Sequence, residues 1–129
     1  MSAAVGRQDG RRYLDTPFLE PGHGELARKV DAWALEQLPR PPGPQDRAGV
    51  DATCRALVRA LGRAGWTRYS APLGAADSAA RFDVRALTLI RETLAWHDGL
   101  ADFAFAMQGL GSGAIAFSIT SGSTRVVEA

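Results

Sequence analysis

From Gly99 to Ile119 the sequence is apolar or small at almost every position, with Asp102 and Gln108 as the interruptions. Few surroundings accept such a run: it either crosses a bilayer, for which about 20 apolar residues suffice, or it is a helix enclosed by other helices. The two polar positions favour enclosure. An Asp in mid-membrane costs about 2.5–3.5 kcal/mol on insertion scales, and no basic flank orients the segment. A buried helix is therefore expected from Leu100 to Phe117, and no membrane role. Ala104, Ala106, Gly109, Gly111, Gly113 and Ala114 recur along it, and glycine weakens a helix by about 1 kcal/mol relative to alanine. Close packing, or a ligand, is expected to compensate.

A helix that must be enclosed needs partners, and the rest of the chain supplies three. Gly24 to Leu38 places Leu26, Val30, Trp33 and Leu38 on one face, with Glu25 four residues before Lys29. Pro39 disfavours helical geometry at Leu38, and Pro39-Arg40-Pro41-Pro42-Gly43-Pro44 reads as a stiff spacer between two helices rather than a proline-rich ligand. The second helix is expected to start near Asp51, to turn Cys54, Leu57, Val58 and Leu61 inward, and to end at Gly62 and Gly65. After a loop through Pro72 and Gly74, the third runs Phe82 to His97, capped by Asp77 or Ser78, with Leu87, Ile90, Leu94 and Leu89 facing in. The fold expected is all-α, an up-and-down bundle of about four main helices. The divisions are an N-terminal arm over 1–17, the helical domain over 18–117 and an irregular tail over 118–129.

Charge and cysteine content narrow the partners. The 129 residues hold 15 basic and 14 acidic side chains, a net charge of +1, which gives no reason to expect nucleic acid. No apolar export segment follows Met1, and the single cysteine, Cys54, forms no internal disulfide, so a reducing cytoplasm is expected. Nothing suggests a metal.

Several motifs invite sharper readings, each with a plainer one beside it. Arg55, Arg59 and Arg63, at i, i+4 and i+8, form either an anion site or a solvated charged face, and the second is preferred. Cys54 lies on an apolar side with no histidine near it in sequence, as an inert thiol does. The adjacent His97 and Asp98 suggest a catalytic pair, but neighbouring residues on a helix point in different directions, and a histidine at a helix C-terminus is favoured by the dipole alone. Gly109-Leu110-Gly111-Ser112-Gly113 has Ala114 where a dinucleotide fingerprint needs glycine, with no strand before it.

Taken in order, several segments carry a resemblance: Phe18-Leu19-Glu20 with His23 to Leu26; the proline-rich loop; Leu57-Val58-Arg59-Ala60-Leu61-Gly62-Arg63-Ala64-Gly65-Trp66; Ile90-Arg91-Glu92-Thr93-Leu94-Ala95; and the apolar Asp98 to Phe117. Over about Phe18 to Phe117 the chain resembles the N-terminal helical domain of the acyl-CoA dehydrogenases. The resemblance implies a flavoenzyme that oxidises an acyl-CoA to its 2,3-enoyl form, a carboxylate taking the α-proton and FAD the β-hydride. In that family a middle β-domain holds much of the flavin, and a C-terminal helical domain usually supplies the base and builds the oligomer. The resemblance therefore implies no catalytic residue in this chain, FAD not retained by it alone, and homo- or hetero-oligomers formed through the missing domains. It also implies one wall of the acyl site at Phe103, Ala106 and Leu110, with Asp102 at its edge; ordinary core packing competes for the same positions.

Two stretches depart from the family's pattern. Ala71-Pro72-Leu73-Gly74-Ala75-Ala76 replaces an acidic-aromatic-Gly-Gly turn, and the sequence from Ser118 to Ala129 replaces a Gly-Ser-Glu turn and a further helix. Truncation is the expectation that follows. A non-catalytic helical partner of a longer flavoprotein, and a bundle with an accidental likeness, are the competing readings.

Overall fold

The structure, a computed structural model, describes residues 12–38, 43, 45–70 and 83–123, of which Arg12 and 113–123 are described by backbone alone. It is all-helical: among the described residues there are four α-helices, two short 3-10 turns and no strand. They are α1 (Pro21–Gln37), α2 (Arg47–Arg63), α3 (Val84–His97) and α4 (Gly99–Ser123), with 3-10 turns at Arg12–Asp15 and Trp66–Tyr69.

Each helix starts where local chemistry satisfies its first backbone N–H groups, and in three cases this moves the expected boundary. α1 begins at Pro21 rather than Gly24, because proline is pre-set for a first turn and Glu20 with His23 forms a capping box around it. α2 begins at Arg47, capped by Asp46, whose carboxylate accepts from the Gly49 N–H at 2.8 Å; Asp51, the expected cap, is an exposed residue inside the helix. α3 is capped by Asp83, which accepts from the N–H groups of Arg85 and Ala86. The expected caps Asp77 and Ser78, like the loop through Pro72 and Gly74, lie outside the described residues.

Helix ends are equally local. α2 runs through Gly62 to Arg63 with Ala64 as its C-cap, and the next residue, Gly65, takes φ +77°, a left-handed geometry that glycine adopts without strain. α4 continues through Ser123, past the expected end at Phe117.

The core joins Val30 of α1, Leu57 and Leu61 of α2, Ile90 and Leu94 of α3, and Ala101, Ala104 and Phe105 of α4. Of the residues expected to face in, Leu26, Trp33, Leu38, Val58 and Leu87 are half-buried against that cluster, and Leu89 is buried. α3 packs against α1 and α4, and α4 packs also against α2. Asp98 alone separates α3 from α4, so α4 folds back along α3. Where α4 meets the end of the second 3-10 turn, a Cβ on Gly109 would stand 3.0 Å from the Ser70 carbonyl oxygen. This glycine serves close packing, as expected of the small residues in this segment.

Candidate functional site

Asp98 sets the orientation of α4. Its carboxylate accepts from the Leu100 N–H at 2.7 Å, so one residue ends α3 and starts α4. The fold-back brings Arg91 opposite Asp102, and the two make a bidentate ion pair, Nε to Oδ1 and Nη2 to Oδ2, both at 2.9 Å. The Asp102 carboxylate holds the Arg91 guanidinium above its usual pKa, more than offsetting the opposing effect of burial. A two-bond pair fixes direction as well as distance, so it helps set which side of α4 faces the core.

With α4 held this way, Ala101, Ala104 and Phe105 point inward and another apolar set points outward. Phe103 is 56% exposed, Met107 37% and Leu110 71%, and half-buried Ala106 lies between them. The spacing i, i+3, i+4, i+7 puts all four on one stripe. Phe103, Ala106 and Leu110 are thus brought together as the sequence reading expects, on an outward face and not in the core. Asp102 stands at the edge, occupied by Arg91. Met107 was not among the expected residues, although its spacing, four residues after Phe103 and three before Leu110, is a signal that could have found it.

The polar junction of α1 with α3 could not be read from the sequence. The Glu20 N–H donates to His23 Nδ1 at 2.9 Å, so that nitrogen carries no proton, and Nε2 therefore donates to Asp83 Oδ2 at 2.9 Å. Arg85 reaches Asp83, Glu20 and the Phe18 carbonyl. Burial pushes the Asp83 carboxyl up, but hydrogen bonds from His23, from the Arg85 side chain and from the Ala86 and Arg85 N–H groups outweigh it and hold its pKa at about 2. Further along, His97 Nε2 meets Asp31 Oδ1 at 2.7 Å, and Tyr13 donates to Glu92. Both His–Asp pairs join α1 to α3 in the same order, so the two helices run in the same sense.

His97 thus pairs with Asp31, while its sequence neighbour Asp98 caps α4; the adjacent pair is not a dyad. With both its nitrogens engaged, His23 has no free position for a nucleophile. Cys54 is half-buried and makes no disulfide. Arg55, Arg59 and Arg63 are exposed on α2, as the solvated-face reading expects. Among the described residues no cluster of His, Cys, Asp and Glu could hold a metal ion, and no helix is long and apolar enough to cross a membrane. No protein-family model matches the chain, and no curated protein matches it.

Proposed function

We propose that this chain is the N-terminal helical part of an FAD-dependent acyl-CoA dehydrogenase and that the outward face of α4 is one wall of its fatty-acyl site. The observation that carries the reading is the outward stripe of Phe103, Met107 and Leu110, all exposed, with half-buried Ala106 on one side of α4. Burying an exposed Phe or Leu side chain gains about 1.5–3 kcal/mol, and each acyl CH2 about 0.8 kcal/mol. A face with these residues therefore favours a hydrocarbon tail over water. The role of the chain in this reading is to bind the tail and exclude water. No carboxylate here is assigned as the base.

These residues do not by themselves fit a flavin. Its ring edge presents several donors and acceptors, while the only buried, unbonded side-chain polar atom among the described residues is Trp66 Nε1. The reading accordingly leaves the flavin and the proton-abstracting carboxylate to other domains.

NMR titration with CoA and with acyl-CoAs of increasing chain length tests the reading at the weak affinity a single wall would have. Shifts at Phe103, Ala106 and Leu110 are expected to grow with acyl length and to be absent with CoA. Shifts that ignore acyl length, or that fall elsewhere, would overturn it. The same exposed stripe favours one second reading, a non-catalytic partner subunit docking on a longer flavoprotein. That reading predicts co-purification with such a chain and no acyl-length dependence.

A further inference from the structure

Among the described residues, the bundle is closed on three sides and open on the fourth. α1 packs on α3, α3 on α4 and α4 on α2, whereas α1 and α2 barely touch. Between them lies a groove of about 740 Å³. Its α2 wall carries Ala56, Ala60 and Ala64, at i, i+4 and i+8, and Trp33 and Trp66 stand in it edge to face, 6.0 Å between ring centroids. Alanine side chains let a second helix approach closely, since the distance between helix axes depends on the side chains at the contact.

The charges beside the groove are one-sided. Arg63 lines it, and Arg59 and Arg55 continue the same edge of α2 one and two turns back. All three are exposed, and none makes an ion pair or hydrogen bond among the described residues. Like charges at this spacing repel within a helix, and a row of carboxylates from outside would relieve that repulsion. The α1 rim offers Glu36 and Gln37 instead, so an occupant must be acidic along its α2 edge only.

We propose that this open side is a docking groove for an acidic amphipathic helix of a protein partner, its small or apolar seam on the alanines and tryptophans and its carboxylates on Arg55, Arg59 and Arg63. This is the helix-in-groove mode of recognition. The groove lies between α1 and α2, so the inference does not depend on the acyl reading of α4.

The test titrates the full chain with two designed helical peptides that share one Ala/Leu seam and differ only in carrying Glu or Lys along one edge. The readout is the NMR signals of the Trp33 and Trp66 indoles. The Glu peptide is expected to bind, to weaken with added salt, and to lose roughly tenfold or more in affinity in the double variant Arg59→Glu, Arg63→Glu, since opposed like charges are costly at an interface. That variant, its fold checked by circular dichroism, should in turn bind the Lys peptide. Equal binding of both peptides, binding of neither, signals that move on α4 instead, self-association of the chain through these residues, or equal binding of a single-stranded oligonucleotide would each overturn the proposal.

Discussion

The α1–α3 junction and the outward face of α4 are built from opposite materials. At the junction His23 meets Asp83, Arg85 meets Glu20 and His97 meets Asp31, over a core that holds Val30, Ile90 and Leu94. The α4 face is four apolar side chains, Ala106 half-buried and the other three exposed, with no other described element enclosing them. The junction is specified from within the chain, because each polar group has a matched acceptor or donor there. The α4 face is specified only as apolar. The contrast separates what holds the fold from what is left for something else to cover.

One chemical change made on both sides breaks or sharpens that contrast most strongly. Leu94 is fully buried and Leu110 is 71% exposed. Leu94→Ala should cost about 2–5 kcal/mol, for lost transfer free energy plus the cavity left behind. Leu110→Ala should stay within about 0.5 kcal/mol, as surface changes do. Urea denaturation of the two variants checks both; similar costs would show that the α4 face is no more available than the core.

A smaller effect is expected at the junction's polar end. Asp83→Ala removes the N-cap of α3 and the acceptor for His23, and loss of a cap alone costs about 0.5–2 kcal/mol. Asp83→Asn keeps a good cap but not the charge, so it should cost less at neutral pH. The sign of the acid response follows from the carboxyl. Its folded pKa of about 2 lies below the unfolded value of about 3.9, so its contribution is present above that unfolded value and is lost as pH falls toward the folded one. Melting temperatures between roughly pH 5 and pH 2 should therefore converge for the wild type and Asp83→Asn. Parallel curves would show that Asp83 acts only as a cap.

The helices were legible in the sequence because their apolar positions repeat at helical spacing, and the inward placement of Leu57, Leu61, Ile90 and Leu94 followed from it. The caps were less so. Asp46 and Asp51, or Asp77, Ser78 and Asp83, are equivalent as residue types, and only the backbone's departure from helical geometry at Asp46 and Asp83 selects between them. The His–Asp pairs join residues separated by 60 and 66 positions, and no local pattern reports contacts at that range. On α4 the expected residues do share a face. The sequence could not say whether that face is core or surface, because inward Phe105 and outward Phe103 are the same residue type two positions apart.

Between the junction and the α4 face stands the Arg91–Asp102 pair, which borrows from both. Like the junction's contacts it is a directed polar pair between two helices, but Arg91 is 49% exposed, and exposed pairs contribute about 0–1 kcal/mol. Asp102→Ala should thus cost at most about 1 kcal/mol while loosening the rotational setting of α4. Nuclear Overhauser contacts between Phe105 and the core that persist in this variant would show that packing alone fixes which face points out.

A stability effect as small as that of Leu110→Ala belongs to Phe103→Ser, and it discriminates best between the two meanings of an apolar surface. Phe103 is 56% exposed, so replacing it should change folding stability by no more than about 0.5 kcal/mol, measured by thermal melts. If the stripe receives an acyl chain, the same variant should lose the length-dependent NMR shifts at Ala106 and Leu110, because a hydrocarbon tail gains nothing from a hydroxyl that water already solvates. A variant that keeps those shifts would separate the tail from Phe103 and move the wall elsewhere on the helix. One that loses stability instead would mean that Phe103 packs against the rest of the chain, and the distinction between junction and face would fail at Phe103.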